Sequence, residues 1–279
     1  MGQGFRLGDR ARAAGYRLAG FEAIGSTNTE ALEAARAGDR GGIWFAALQQ
    51  TAGRGRRGRP WQSPYGNLAA SLLIVPEADA AMAATLGFVA GVALNQALSR
   101  LLPTGQVKVG IDGADGVSGG GPARIALKWP NDVLADGAKL AGILLEAHKR
   151  PDGRHAVVIG FGVNVVAAPQ GLPYPAVSLA ELGTARDAAD VLEALSDAWV
   201  DSFGLWRDGE GIADILARWR GAAAGIGAPV AVSRSDGVVR GIFETIDEAG
   251  RLIVRAEDQS RVAITAGDVH FGATAKTNL

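Results

Sequence analysis

The chain has 279 residues, which is enough for one large domain with a sizeable core and a small second domain. Its 28 basic and 29 acidic residues give a formal net charge of -1 at pH 7, so no global electrostatic field attracts nucleic acid or an anionic membrane. The sequence has no cysteine, which excludes thiol nucleophiles, disulfides and cysteine-based metal sites and suits a reducing compartment. No signal peptide follows Met1, and the longest apolar stretches are interrupted well short of the ~20 residues of a membrane span. We therefore expect a soluble, cytoplasmic protein.

The first predicted elements surround an arginine-rich loop. Thr27-Asn28-Thr29-Glu30 has the pattern of a capping box with Thr27 as the N-cap, which predicts a short helix that ends near Gly38. Two apolar runs bounded by Gly, Pro and Asn predict buried strands over residues 43–49 and 68–75. Apolar residues then recur at helical spacing from Glu77 to Leu101 without a proline, which predicts one long helix.

The middle of the chain is predicted to complete a mixed sheet. Residues 103–123 are rich in glycine, which predicts a flexible loop or a loose hairpin around Val107 to Ile111. Three further strands are predicted at residues 125–129, 142–147 and 156–165, the first two joined as a hairpin across residues 135–139.

The C-terminal part changes from helical to strand periodicity. Apolar spacing predicts helices from about Ala188 to Trp206 and from Ile212 to Trp219. From Ala228 to Val269 short alternating strands are separated by turn sequences such as Asp236-Gly237, which is typical of a small all-β module. We therefore expect a first domain over residues 1–224 and a second over residues 225–279.

A loop from Gln50 to Trp61 contains three glycines and four arginines. Glycine lets a backbone approach an anion and donate N–H groups, and arginine pairs bidentately with carboxylate or phosphate oxygens. Such a loop can close over a phosphorylated ligand, but the same residues also suit a solvated basic loop or a nucleic-acid-binding patch. The residues alone leave these alternatives open. Because no Gly-Lys-Ser/Thr follows, an ordinary P-loop is not expected.

A second motif is Lys128-Trp129-Pro130-Asn131-Asp132, followed by Lys139-Leu140-Ala141-Gly142. It places polar side chains at the ends of apolar strands, where they can converge on a cleft. Pro-Asn-Asp is also an ordinary turn sequence and Lys139 also suits a hairpin. Only five of the 28 basic residues are lysine, which favours a functional role for these two.

Two further segments are weak signals on their own. Ser26-Thr27-Asn28 precedes a helix and is explained by capping alone. Gly160-Phe161-Gly162-Val163-Asn164 lies in a strand, where the glycines suit either a ligand edge or close backbone packing.

Together these four motifs, in this order, resemble the biotin protein ligase family over residues 22–272. The resemblance implies an α+β fold, with a mixed-sheet catalytic domain flanked by helices, like class II synthetases and lipoate ligases, and a small C-terminal SH3-like β-barrel. It also implies an ATP-dependent ligase that converts biotin to biotinyl-5′-AMP and transfers biotin to a lysine of a biotin carboxyl carrier protein. Some bacterial members carry an N-terminal DNA-binding domain. Only about 20 residues precede the Ser-Thr-Asn motif here, so we expect a ligase that is not a repressor.

The resemblance also implies roles for individual residues. The catalytic residues would be Arg56, Lys139, Lys128 and Asp132. Biotin would be bound by Ser26, Thr27, Asn28, Gln50, Arg54, Gly55, Arg56 and Lys139. The nucleotide would be bound by Gly53, Arg54, Arg57, Gly58, Trp61, Lys128, Asn131, Gly142, Gly162 and Asn164. Mg²⁺ would accompany ATP without dedicated protein ligands. Trp44, Trp61 and Trp129 are candidate hydrophobic walls, although each equally suits the core.

Two rival functions follow from the same residues. A lipoate ligase would share the chemistry, but the polar Ser-Thr-Asn and Gln50 set favours a compact ureido ring over a dithiolane. An Arg/Gly nucleic-acid-binding protein is disfavoured by the near-neutral charge. The expected partner is the carrier subunit or domain of a carboxylase, with no DNA and no membrane, and the expected assembly is a monomer or a weak homodimer.

Overall fold

A computed structural model of the chain describes residues 4–102, 108–109, 119–120 and 125–271. Its central feature is a seven-stranded sheet with the order β1-β2-β3-β9-β8-β7-β6. The strands are β1 (Arg17–Ile24), β2 (Ile43–Gln50), β3 (Leu68–Ile74), β6 (Ile125–Lys128), β7 (Asp132–Ala135), β8 (Ala138–Lys149) and β9 (His155–Val163). Strands β1 and β2 are parallel and the other pairs are antiparallel, so the predicted mixed sheet is confirmed.

The glycine-rich segment contributes only two short strands to the described structure. Lys108–Val109 (β4) and Gly119–Gly120 (β5) pair in antiparallel fashion apart from the main sheet. The rest of the loop or hairpin predicted over residues 103–123 lies outside the described residues.

Strand β7 corrects the predicted hairpin between residues 125–129 and 142–147. That prediction was wrong because β7 lies between β6 and β8 and forms a separate antiparallel pair with each of them. The Pro130-Asn131 turn reverses the chain immediately after β6, and Asp136-Gly137, both at positive φ, reverses it again.

Six helices flank the sheet in the described part of the chain. They are α1 (Asp9–Ala13), α2 (Thr27–Arg36), α3 (Ala80–Ala83), α4 (Leu86–Leu101), α5 (Ala188–Trp206) and α6 (Ile212–Ala222). Helix α4 packs against α5 and α6, and its Leu86 and Leu94 are fully buried. The stretch Ala80–Leu101 is long and apolar enough to span a membrane, but 56% of its apolar window is buried in the protein core, which accounts for its composition.

The helix predicted from Glu77 to Leu101 begins at Ala80, and a turn at Ala84 and Thr85, both with helical backbone angles, divides it into α3 and α4. The Asp79 side chain accepts a hydrogen bond from the backbone N–H of Met82 and starts α3. At this turn the Thr85 hydroxyl donates to the Met82 carbonyl and accepts from the Trp206 indole at 2.9 Å. The turn therefore contacts α5.

Helix α2 forms as predicted, but its N-cap is Ser26. The Ser26 backbone is extended, and its hydroxyl accepts from the backbone N–H of Thr29 at 3.4 Å. Thr27, predicted as the cap, is the first helical residue, and its hydroxyl bonds to Gln50 and Ser71. The capping prediction was therefore wrong by one residue, which leaves Thr27 to a different network.

A separate antiparallel sheet forms the C-terminal module. Its strands are β10 (Pro229–Arg234), β11 (Gly237–Ile246), β12 (Leu252–Arg255), β13 (Arg261–Ile264) and β14 (Asp268–Phe271). The order β13-β12-β11-β10-β14 is open, because the two outer strands do not pair in the described structure. Phe243, Val232 and Val254 are fully buried in its core, so the predicted small β-module is confirmed.

The sheet register brings the predicted motifs together. Ile24 pairs with Gln50, so the Ser26 motif and the start of the arginine loop leave neighbouring strands at the same end. Gly142 pairs with both Asp132 and Gly162, which aligns the lysine motif with the glycine strand.

Candidate active site

A cavity of about 640 Å³ lies where these motifs meet and where β14 of the C-terminal module approaches them. Five basic side chains (Arg54, Arg56, Arg59, Lys128 and Lys139) and two acidic ones (Asp132 and Asp268) line it among the described residues. The excess of positive charge suits an anionic ligand.

One end of the cavity is a polar hydrogen-bonded group. Gln50 Oε1 accepts from the Thr27 backbone N–H at 2.9 Å and lies 3.1 Å from the Thr27 hydroxyl. The Ser71 hydroxyl lies 2.7 Å from the Thr27 hydroxyl and 2.5 Å from Asn28 Oδ1. Thr27, Asn28 and Ser71 are all buried, so these side chains are held in one arrangement.

Glu146 extends this hydrogen-bonded group from Asn28 to Arg54. Its Oε2 accepts from Asn28 Nδ2 at 2.7 Å, and its Oε1 lies 3.6 Å from a terminal nitrogen of Arg54. A chain of polar contacts therefore runs from Gln50, at the end of β2, to Arg54 in the loop that follows.

Lys139 forms an ion pair at the cavity wall. Its Nζ lies 2.7 Å from Asp132 Oδ1, and it sits 5.5 Å from the Trp61 ring and 5.4 Å from the Tyr174 ring. Its backbone N–H donates to the Pro175 carbonyl at 2.8 Å. Both partners of the pair are largely buried, which holds the ammonium group in place at the cavity.

The remaining loop arginines gather around Asp268. Arg59 lies 2.7 Å, Arg57 3.1 Å and Arg56 4.0 Å from its carboxylate oxygens. Burial raises the pKa of Asp268, but the hydrogen bond from Arg59 and the three positive charges outweigh this and hold the pKa below its ordinary value.

Arg56 is the member of this cluster that reaches deepest into the cavity. It donates to Asn131 Oδ1 at 3.1 Å and to the Gly267 carbonyl at 3.4 Å. Burial lowers the pKa of the Arg56 guanidinium, and the charge of Asp268 opposes that shift. Arg56 thus joins the loop, the lysine motif and the C-terminal module.

The glycines of two strands make room for the Trp61 ring. A Cβ at Gly162 would lie 2.4 Å from Trp61 Cε2, and one at Gly142 would lie 3.2 Å from Trp61 Cζ3. Trp61 therefore packs directly on the backbone of β8 and β9, as the close-packing interpretation of these glycines predicted.

Comparison with known sequences identifies the family. The sequence profile of the Biotin/lipoate A/B protein ligase family matches residues 20–164, and that of the Biotin protein ligase C terminal domain matches residues 225–272. The chain belongs to the biotin/lipoate A/B protein ligase family. The predicted resemblance is therefore confirmed.

Individual relatives agree with this assignment. The chain is 40% identical to the biotin–[acetyl-CoA-carboxylase] ligase of Paracoccus denitrificans, over 88% of this chain and 97% of that protein. It is 34% identical to the enzyme of that name from Mycobacterium tuberculosis, over 88% and 85%. The biotin protein ligase of Aquifex aeolicus, solved in complex with biotin and ATP, has the same fold, with a TM-score of 0.72 at 21% identity over 91% of this chain and 99% of that one.

Most of the residues predicted from the ligase resemblance lie together in the structure. The predicted residues that line the cavity are Ser26, Thr27, Asn28, Gln50, Arg54, Gly55, Arg56, Trp61, Lys128, Asn131, Asp132, Lys139, Gly142 and Gly162. Residues of all four motifs therefore line one cavity.

Four predicted nucleotide residues of the ligase motifs do not line the cavity. Gly53 packs against Trp61, Arg57 turns toward Asp268, and Gly58 closes the short turn after Arg57 with a φ of 71°. Asn164 is buried behind the wall. Its Nδ2 donates to the Val177 carbonyl at 3.2 Å, and its Oδ1 has no hydrogen-bond partner in the described structure.

The tryptophans of the ligase motifs differ in position. Trp61 and Trp129 line the cavity, and the Trp129 indole also donates to the Gly250 carbonyl of the C-terminal module at 3.0 Å. Trp44 is fully buried in the core, 5.6 Å from the Phe161 ring. Of the two alternatives for Trp44, wall or core, the structure therefore shows the core position.

Sequence reasoning missed several residues at or beside the site, including Ser71, Glu146, Tyr174 and Asp268. Ser71 and Glu146 are the lone polar and acidic residues of their apolar strand segments, and that isolation was an available signal. Tyr174 and Asp268 lie far from every motif in sequence, and only the fold brings them to the cavity.

Proposed function

We propose that this protein is a biotin protein ligase, which uses ATP to convert biotin to biotinyl-5′-AMP and then transfers biotin to a lysine of a biotin carboxyl carrier protein. The observation that carries the proposal is a single cavity with a hydrogen-bonding end at Thr27 and Gln50 and a cationic end at Arg56 and Lys139. Biotin has the same polarity, because it joins a neutral ureido ring to a carboxylate through an apolar chain.

The ureido ring would lie at the Thr27 end. Ser26, Thr27, Asn28 and Gln50 are its proposed partners. Their mutual hydrogen bonds occupy the amide oxygens of Asn28 and Gln50, which leaves amide N–H groups as donors for a ligand. Such groups can accommodate a ring carbonyl, whereas the dithiolane of lipoate has no matching acceptor.

Activation of the carboxylate requires two anions to meet. A carboxylate oxygen of biotin attacks the α-phosphorus of ATP, the bond to the bridging oxygen of the β-phosphate breaks, and pyrophosphate leaves. Arg56 and Lys139 would stand between the anions, lowering their repulsion and stabilising the developing charge. Arg54 and Gly55 would hold the biotin carboxylate and the product from the loop side.

The nucleotide would extend from the cationic end over the lysine motif. Lys128 and Asn131 lie at that wall, and Trp61 offers a flat face. Gly142 and Gly162 would contribute by making room for the Trp61 ring. The other three residues would contribute by shaping the arginine-rich loop; they are Gly53, Arg57 and Gly58. Asn164 would act from behind the wall, where its Nδ2 donates to the Val177 carbonyl at 3.2 Å.

Magnesium is expected to accompany ATP. No three His, Cys, Asp or Glu side chains in the described structure are grouped to hold a metal, but Mg²⁺ is usually bound through one or two carboxylates plus substrate phosphates. The sparse acidic lining fits an ion without dedicated protein ligands, and Lys128 and Asp132 would steady the phosphates beside it. The ion would neutralise phosphate charge during pyrophosphate departure.

The second half-reaction needs no enzyme nucleophile. A carrier lysine amine would attack the carbonyl carbon of the mixed anhydride, an amide bond would form, and AMP would leave. Asp132, held by Lys139, is proposed to orient the incoming amine or to accept its proton.

Partner and assembly are part of the same proposal. The partner would be the carrier subunit or domain of a carboxylase, as the names of the relatives suggest. The net charge of -1 supports a protein that binds neither DNA nor an anionic membrane, and the proposed location is the cytoplasm. Residues 1–224 would form the catalytic domain and residues 225–279 the second domain. β1 is an edge strand of the main sheet, which supports a monomer or a weak homodimer through that edge.

Calorimetric titration with biotin and then with lipoate tests the proposal, followed by mass spectrometry after ATP and Mg²⁺ are added. Biotin binding with formation of biotinyl-5′-AMP is the expected result. Binding of lipoate alone would assign the protein to lipoate ligation, and no binding of either would refute a ligase function.

A further inference from the structure

Glu146 lies beside the cavity without lining it. Side chains alternate along β8, so Glu146 follows the lining residues Gly142 and Leu144 on the same face of the strand. Its two carboxylate oxygens contact residues that do line the cavity, Asn28 and Arg54. Glu146 can therefore influence a ligand through both residues without touching it.

The carboxylate fixes the orientation of the Asn28 amide. A carboxylate only accepts hydrogen bonds, so Asn28 must present Nδ2 to Glu146 and Oδ1 to Ser71. Ser71 has one hydroxyl hydrogen, which it donates to Asn28 Oδ1 at 2.5 Å. The Ser71 hydroxyl also lies 2.7 Å from the Thr27 hydroxyl oxygen, and the Thr27 hydroxyl donates to Gln50 Oε1 at 3.1 Å.

The Glu146 carboxylate thus fixes the Asn28 amide with Oδ1 toward the Ser71 hydroxyl. Ser71 is 0% exposed, Thr27 2% and Asn28 5%, so water cannot readily reverse these bonds. Gln50 Oε1 is occupied by the Thr27 backbone N–H at 2.9 Å, which leaves the Gln50 Nε2 group as a donor. The second N–H of Asn28 is also left as a donor, so this end favours a ligand group that accepts hydrogen bonds.

We propose that Glu146 is a positioning residue for the substrate ring. Its charge holds the Asn28 amide in one orientation, with Oδ1 toward Ser71, and ties Arg54 of the loop to it. The ring-binding end and the loop are thereby coupled through one side chain. The inference rests on the proposed function, because it concerns the ring of biotin.

Glu146→Gln tests this role with a neutral side chain of the same shape. The glutamine amide can turn either way, so the Asn28 orientation is no longer enforced and the ion pair with Arg54 is lost. We expect the calorimetric Kd for biotin alone and the KM for biotin to rise about tenfold. The kcat of adenylate formation and the Kd for ATP should stay within about twofold, because Arg56, Arg57 and Arg59 are held by Asp268.

Glu244→Gln is the matched control. Glu244 is 26% exposed against 30% for Glu146, and it pairs with Arg261 in the C-terminal module. It should leave biotin affinity unchanged. An equal loss of biotin and ATP affinity in Glu146→Gln, together with a lowered Tm, would indicate a merely structural role and would overturn the inference.

A double-variant cycle with Asn28→Ala tests the route of the effect. If Glu146 acts through Asn28, adding Glu146→Gln to Asn28→Ala should raise the Kd for biotin by less than about threefold. A further tenfold loss in the double variant, or unchanged affinity in folded Glu146→Gln, would refute the inference alone. Failure of the wild-type protein to bind biotin would refute the proposed function and this inference with it.

Discussion

Asp268 of β14 and Arg59 of the arginine loop lie 2.7 Å apart, although 209 residues separate them in the chain. The same carboxylate pairs with Arg57 and faces Arg56. One negative charge therefore meets three positive ones, which fixes the path of the loop and still leaves it cationic. Loop order thus depends on a residue of the C-terminal module, outside the loop motif.

Asp268→Asn should loosen the loop. The amide keeps the shape of the side chain but removes the charge that Arg57 and Arg59 contact, so trypsin cleavage after the loop arginines should be about fivefold faster. Time-resolved proteolysis with mass spectrometry measures this. Asp258→Asn, in an exposed turn of the same module, is the control. Identical cleavage of wild type and Asp268→Asn would show that Asp268 does not hold the loop.

Local features of the fold were predictable from sequence, and long-range ones were not. The bounds of α5 follow from apolar spacing that ends at Trp206, and the structure reproduces them. The turn between α3 and α4, where Trp206 contacts Thr85, was not predicted, because that contact joins residues far apart in the sequence. The Ser26 cap was misassigned because neighbouring hydroxyl residues compete for one position.

The same division applies to the site. Arg54, Arg56 and Lys139 stand in recognisable motifs, so their convergence was predictable in outline. Asp268 and Tyr174 were not, since nothing in their local sequence distinguishes them from surface residues. Residue types alone also left open whether Gly142 and Gly162 face a ligand or a side chain. The structure shows that both face the Trp61 ring.

Lys139→Ala should abolish adenylate formation while the fold remains. The ammonium group is proposed to stabilise charge that develops in the reaction, so its loss should lower kcat/KM at least about a hundredfold. Pyrophosphate release measures the rate, and circular dichroism checks the fold. Lys149→Ala, on the exposed end of the same strand, should behave as wild type. Normal adenylate synthesis by folded Lys139→Ala would remove Lys139 from the proposed role.

Asp39 should make stability depend on acid pH. Burial raises its pKa, but hydrogen bonds from Arg17 and from the backbone of Gly41 outweigh this and lower it. Because the folded pKa lies below the unfolded one, the stabilisation is fully present above the ordinary carboxylate pKa and is lost as pH falls through the folded value.

Asp39→Asn should therefore destabilise the protein by about 1 kcal/mol at pH 7. The difference in unfolding free energy between wild type and variant should shrink as the pH falls below about 4. Urea unfolding between pH 2 and pH 7 measures it. A difference that stays constant over this range would mean that the ionised carboxylate is not the source of the stabilisation.

Gly162→Ala should displace Trp61 and weaken ligand binding. The added Cβ would lie 2.4 Å from Trp61 Cε2, closer than atoms can approach, so the ring must move from the cavity wall beside Lys139. We expect the Kd for biotin with ATP to rise at least about tenfold, because the Trp61 ring is proposed to pack against the adenylate. Intrinsic tryptophan fluorescence should report the displacement directly.

Two other glycines calibrate this prediction. At Gly142 the Cβ would lie 3.2 Å from Trp61, a contact that a small shift relieves, so Gly142→Ala should have a weaker effect in the same direction. At Gly87, in α4, the nearest atom is a Leu145 methyl at 3.8 Å, so Gly87→Ala should leave binding unchanged and stabilise the helix slightly. The three positions differ in how closely the added Cβ would approach Trp61. If all three variants bound ligand equally well, the Trp61 ring would therefore not form part of the binding site.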